Sequence, residues 1–326
     1  MRRREFITLV GGAAATWPMS VRAQQPGKVH RVGFLGSATA AGSAKEIESL
    51  RTGLREFGYV EGTNIDIEVR WAEGFYNRLP QLVAELIATN VQVLITHGTP
   101  GTRAAKQATT TLPIVMAISG DALATGLVSS LARPEANLTG STFFLPQLNA
   151  KRLELLKEAC SRISHPAALS NPENPVSRPI VPAMQAAATA LNLVLEVVRP
   201  QRPSEFSLAF AAMAKSRVDS VVVTEDGEFA ASFRAIATLA LADKLPSIGA
   251  EEYAQAGGLI GYGVNILALY RRAAYFVDRI LKGAKPADLP IEQPTKFGLI
   301  VNLKSANTLG LAISETFLVR ADRVIV

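Results

Sequence analysis

From residue 29 onward, short apolar runs alternate with segments whose apolar residues recur every three or four positions. HRVGFLG (30–36) is a near-continuous apolar run and reads as a buried strand. In IESLRTGLREFG (47–58), Ile47, Leu50, Leu54 and Phe57 share one helical face, and Gly58 ends the pattern as a C-terminal cap does. NIDIEVRW alternates strictly and reads as a strand with one covered face, LPQLVAELIA as a helix, VQVLIT and LPIVMAI as strands, DALATGLVSSLA (121–132) as a helix and NLTGSTFF as a strand.

A second series follows. QLNAKRLELLKEAC, PAMQAAATALNL, SEFSLAFAAMAKS and ASFRAIATLALADK carry helical periodicity; HPAAL, VLEVV, VDSVVV, LPSIGA and GLIGYGV are strand-like. NILALYRRAAYFVDRILKG closes the series as a long helix, with Asn265 as N-cap and Gly283 as stop. Strand–helix alternation with apolar strands predicts an α/β fold with mostly parallel sheets covered on both faces. Two such series predict two doubly wound parallel-sheet lobes, changing over near residues 143–150, with the Pro-rich ADLPIEQPTK (287–296) as a connector between them.

Open parallel sheets bind ligands beyond the carboxyl ends of their strands. In the first series those ends hold Ser37 and Thr39, then His97, Gly98 and Thr99, then Asp121; in the second, Asn171 and Asn174, then Asp226, Glu251 and Tyr262. Hydroxyls, glycines, a few carboxylates and one Tyr suit a small polar ligand. Each residue has a plainer role open to it. Ser37, Thr39 and the Gly98–Thr99 turn fit caps, Asp121 fits the N-cap of DALATGL, and Asn171 and Asn174 fit Asx-turns beside prolines. Tyr262 between two glycines suggests an aromatic surface that something approaches closely.

Composition narrows the choice. The chain has 326 residues, 48% of them apolar and 19% charged, which argues against disorder. A single cysteine, Cys160, excludes an intramolecular disulfide or a multi-cysteine metal site, and no cofactor is expected. The net charge of +6 is concentrated at the start, where Arg2, Arg3, Arg4 and Arg22 face only Glu5; without residues 1–23 it falls to +3. That modest charge, with no dense basic cluster, argues against nucleic-acid binding.

Residues 1–23 read as an export signal: a basic start, an apolar stretch too short to span a bilayer, and Val21-Arg22-Ala23 as a cleavage site before Gln24. Arg3-Arg4-Glu5-Phe6-Ile7 carries the paired arginines of a twin-arginine signal. With no cysteine at the cleavage point, a soluble periplasmic protein without a lipid anchor is expected.

Catalytic motifs are sparse. Of His30, His97 and His165, only His97 stands at a strand end, and no Gly-x-Ser-x-Gly elbow, HExxH, phosphate-binding loop or complete GxGxxG follows a strand. The acidic clusters Glu225/Asp226/Glu228 and Glu251/Glu252 leave three roles open: an acid/base pair, a ligand-ammonium site or solvated side chains. An exported hydrolase or isomerase using His97 with Glu225, Asp226 or Glu251 is thus an alternative to a binding protein.

Several long stretches, in order, resemble one family. RRREFITLVGGAAA, GLREFGYVEGTNIDIEVRWAEG, LARPEANLTG, KRLELLKE, NPENP and YRRAAYFVDRILKGAKPADLPIEQPTKFGLIVNLKSANTLGL are similar to the tryptophan/tyrosine-type periplasmic substrate-binding proteins of ABC transporters. The resemblance implies a type I periplasmic binding protein with three crossovers. Lobe one would be 28–143 plus about 254–289, and lobe two 144–253 plus about 290–326. It implies a ligand trapped between the lobes, with loops 36–39, 97–101, 119–121, 171–174, 224–229 and 261–265 facing the cleft. It also implies a monomer that delivers an amino acid or aromatic acid to a membrane permease; a sensor subunit docking on a receptor is the other role for such a protein. Three departures fall in the implied cleft: His97 where Gly or Ala is common, TEDGEF where a Pro and a second aromatic often follow the Asp, and GYG where SYG is common.

Overall fold

The computed structural model describes residues 29–134, 137–143 and 145–326, so the expected export signal lies outside the described residues. The first sheet contains β1 (His30–Gly36), β2 (Ile65–Trp71), β3 (Val93–His97), β4 (Ile114–Gly120) and β5 (Leu138–Phe143). All its pairings are parallel and its order is β2-β1-β3-β4-β5. The apolar runs of the sequence become central strands: β4 is buried along its whole length. The strictly alternating IDIEVRW becomes the edge strand, where one face meets water.

The second sheet contains β6 (Pro166–Leu169), β7 (Glu196–Val198), β8 (Ser220–Val223), β9 (Ser247–Gly249), β10 (Ile260–Gly263), β11 (Gly298–Asn302) and β12 (Arg323–Ile325). Its order is β12-β11-β10-β9-β8-β6-β7, parallel except for β10 against β11. Three segments pass between the sheets. The first joins β5 to helix Leu145–Ala159, which packs on helix Ser177–Ala190 of the second lobe. The second joins β10 to helix Ile266–Leu281, which packs against helix Ala44–Glu56 of the first. In the third, Glu292 is bridged to Ser141 at the first sheet's edge before the chain enters β11.

Three expectations need correction. The return to lobe one does not begin at 254, because β10 belongs to the second sheet and helix Glu251–Gln255 packs on that sheet; the chain crosses at 263–266. Likewise Ile291 is buried in the first lobe's core, so that lobe extends past 290. The helix expected over 121–132 is also absent. The N–H groups of Leu127 and Val128 both turn back to the carbonyl of Ala122, and Gly126 adopts φ +70°, which breaks a helix after one turn.

Two irregularities position the first lobe's strand ends. The β3–β4 register shifts between Thr96 and His97, and the β4–β5 register shifts between Met116 and Ser119. Such bulges re-aim the residues that follow them. Gly140 makes room for the second: at φ +124° any Cβ would stand 2.2 Å from the Met116 carbonyl oxygen.

Candidate functional site

The carboxyl ends of both sheets face each other across a cleft that opens to solvent. Its walls are largely apolar. Ile118 and Phe143 come from the first lobe, Val176, Ala230, Phe233 and Ala250 from the second, and Ile266 from the crossover. Polar groups are interspersed: His97, Thr99, Ser119, Asn174, Thr224, Glu225 and Asp226.

The first lobe's wall carries no full charge. His97 ends β3, and helix Gly98–Ala108 starts at once, with Gly98 turning the chain at φ +73°. The half-buried imidazole hydrogen-bonds through Nδ1 to the Tyr270 hydroxyl. Burial lowers the His97 pKa to about 4, so the ring is neutral at pH 7. Behind it, Thr99 Oγ1 pairs with Ser119 Oγ at 3.1 Å and accepts from the Gly120 N–H at 3.2 Å.

The second lobe's wall carries charge, and each charge is held. Arg152, 1% exposed, donates from Nε to the Tyr262 carbonyl at 2.8 Å and from a terminal nitrogen to the Val223 carbonyl at 3.2 Å. The guanidinium thus bridges the ends of β8 and β10. It pairs with Glu225 at 2.6 Å, while the other Glu225 oxygen accepts from Asn149 at 2.6 Å. Asp226 begins helix Gly227–Ala231, and its Oδ1 accepts from the N–H groups of Glu228 (2.9 Å) and Phe229 (3.3 Å). Its Oδ2 accepts from Asn171 at 3.1 Å, Asn174 at 3.0 Å and the Tyr76 hydroxyl of the opposite lobe at 2.6 Å. Burial raises the Asp226 pKa and these donors pull it back. Glu228, buried beside Asp226, is pushed up to about 7 by desolvation first and by that neighbouring carboxylate second.

His97, Gly98, Thr99, Asn174 and Asp226, all singled out in the sequence, line the cavity. Ser37 and Asn171 are buried just behind it, Ser37 against Gly227 and Asn171 against Asp226. Thr39 is exposed, and its Oγ1 accepts from the Gly42 N–H at 3.1 Å. Nor are three further residues brought to the cavity. Asp121 accepts from the N–H groups of Leu123 and Ala124 in its own turn. The Glu251 carboxylate lies against Gly298, near Asp322 and Arg323. Tyr262 stacks on Phe297, with ring centroids 6.1 Å apart, beside a separate groove. The glycines around Tyr262 admit protein, not ligand. A Cβ at Gly261 would stand 2.5 Å from the Glu251 carbonyl oxygen, and one at Gly263 3.2 Å from the Arg152 guanidinium.

Sequence reasoning missed Tyr76, Arg152, Tyr270, Phe143 and Phe233. Tyr76 follows β2, and the strand-end rule applied to β2 would have found it. Arg152 carries no such signal, being one of two adjacent cations in a helical run. Among the described residues no group of three or more His, Cys, Asp or Glu side chains could hold a metal ion, and no helix is long and apolar enough to cross a membrane.

The family profile described as ABC transporter substrate binding protein matches residues 39–325. The chain belongs to the ABC transporter substrate-binding proteins. It is 24% identical to the "Tyrosine-binding protein" of Clostridioides difficile (strain R20291) over 273 residues, 82% of this chain and 78% of that one. Among solved structures, a conserved domain protein of Vibrio cholerae has a TM-score of 0.84 at 24% identity, covering 91% of this chain and 100% of that one. An ABC domain in complex with L-Trp from Streptococcus pneumonia has a TM-score of 0.83 at 25% identity, over the same shares. The fold of this substrate-binding protein is that of the type I periplasmic binding proteins, two α/β lobes with three crossovers.

Proposed function

We propose that this substrate-binding protein captures a small molecule with an apolar, aromatic body in the cleft and delivers it to an ABC permease in the membrane. The observation that carries this reading is the joint cavity. Phe143, Ile118, Phe233 and Val176 supply apolar walls from both lobes, and His97, Thr99, Asn174 and Glu225 supply a few polar groups among them. The amino-acid names attached to the relatives support an aromatic amino acid or aromatic acid as the ligand. Were it a free amino acid, Glu225 is the carboxylate best placed for the ammonium. Asp226 already takes five donors, while Asp121 and Glu251 are engaged elsewhere. A ligand that touches both lobes only when they are closed favours closure by differential affinity, and closure is the form a permease would read. On this reading the protein works as a monomer outside the cytoplasmic membrane after loss of residues 1–23, binding its ligand without chemistry.

A thermal-shift screen of the purified protein against aromatic amino acids, other amino acids, aromatic acids and sugars tests it. Ligand at 100 times its dissociation constant stabilises by ~2.7 kcal/mol, a shift of a few degrees. The expected result is an aromatic hit recovered chemically unchanged. A hit converted to product would contradict the reading, as would a panel in which only sugars shift the melting temperature.

A further inference from the structure

We propose that Tyr76 is a latch: a positioning residue whose hydroxyl, donated across the seam to Asp226, holds the two lobes closed through a bond the chain makes with itself. Tyr76 lies on the short turn Tyr76–Arg78 after β2, and Asp226 lies beyond β8 of the opposite lobe. The oxygens are 2.6 Å apart. Asp226 is prepared for this bond by its own lobe, since Asn171, Asn174 and the N–H groups of Glu228 and Phe229 fix its orientation. Burial and the adjacent Asp226 push the Tyr76 pKa well up, so the phenol remains a donor at neutral pH.

The surfaces around the bond are cut to meet. A Cβ at Gly227 would stand 2.4 Å from Ser37 Oγ, one at Gly42 2.6 Å from the Ala231 Cβ, and one at Gly74 2.7 Å from the Glu228 carboxyl carbon. Each pair spans the two lobes, so helix Gly227–Ala231 of the second lobe seats between two loops of the first. On the first-lobe side of the seam, Tyr76, Ser37, Gly42 and Gly74 do not line the cavity, whereas Asp226 and Gly227 opposite them do. The Tyr76 hydroxyl therefore adds to closure from outside the cavity.

Removing the Tyr76 hydroxyl leaves Asp226 with four donors, so the variant creates no orphaned charge. Loss of one buried hydrogen bond to a charged acceptor changes an equilibrium by about tenfold or more. The effect on affinity rests on the cleft being the ligand site; the effect on shape does not, so the test uses shape first. Small-angle scattering of the purified protein without added ligand is expected to show the closed-to-open ratio falling about tenfold in Tyr76→Phe. Far-UV circular dichroism should be unchanged. Gly227→Val, which wedges the same seam sterically, is expected to give the same expanded curve. With a hit from the ligand screen, Tyr76→Phe should raise the dissociation rate about tenfold. Scattering from Tyr76→Phe that superposes on wild type while Gly227→Val expands would overturn the latch. So would three superposable curves, or a wild type already as open as the variants. None of these outcomes bears on whether the cleft binds an aromatic ligand, which the screen decides separately.

Discussion

The two walls of the cleft solve the same problem differently. The first lobe presents hydroxyls, a helix start and a neutral histidine, aimed by two bulges at strand ends. The second presents two carboxylates, each immobilised by its own donors, with a buried arginine behind one of them. Neutral groups on a bulged backbone can shift at little cost. A buried ion pair cannot lose a partner without leaving a charge in low dielectric. The second wall is thus the rigid template, and the first is the adjustable one.

The largest break in that comparison comes from Arg152→Met, which strands Glu225. A loss of about 3–5 kcal/mol is expected, read from urea unfolding. A variant within 1 kcal/mol of wild type on that scale would show the second wall to be no template.

Next comes pH. His97 has a folded pKa of about 4 against an ordinary 6.5, so the unfolded chain takes up the proton first as pH falls. Its contribution is complete above 6.5 and is lost between 6.5 and 4, about 3 kcal/mol in all. His97→Gln should flatten that part of the stability–pH curve; an unchanged slope refutes a neutral ring.

Glu228 works in the opposite sense. Its folded pKa of about 7 against 4.5 means the folded form keeps a proton the unfolded chain has released, so stability falls as pH rises from 4.5 through 7. Glu228→Gln should be more stable than wild type by about 1–2 kcal/mol at pH 8, allowing for solvent screening, and nearly equal to it at pH 4. A gain that is the same at both pH values would rule out titration as its cause.

The smallest effect is expected from Thr99→Val on the first wall, about 1 kcal/mol from the lost hydroxyl bonds. Calorimetry giving it as large a cost as Arg152→Met would erase the distinction between the walls.

The order of strands and helices was legible because burial on two faces leaves apolar runs, as in IVMAI, and burial on one face leaves alternation, as in IDIEVRW. Residues 121–132 misled because apolar spacing cannot register that Gly126 reverses the backbone. At the site, strand ends point to the cleft, and five candidates do line it. Tyr262 misled because flanking glycines look the same whether a ligand or a helix backbone needs the space. Tyr76 and Arg152 act through partners some 150 and 73 positions away, Asp226 and Glu225, and no local pattern encodes such a pairing.

The most direct measurement of the central claim, that the space between the walls holds the ligand, is a calorimetric titration of wild type and Ala230→Phe with the compound found by the screen. Ala230 lines the cavity, and an added ring there occupies it. The account predicts one ligand per chain for wild type and no measurable heat for a correctly folded Ala230→Phe. Equal affinity in both would place the ligand outside the cleft and contradict the account.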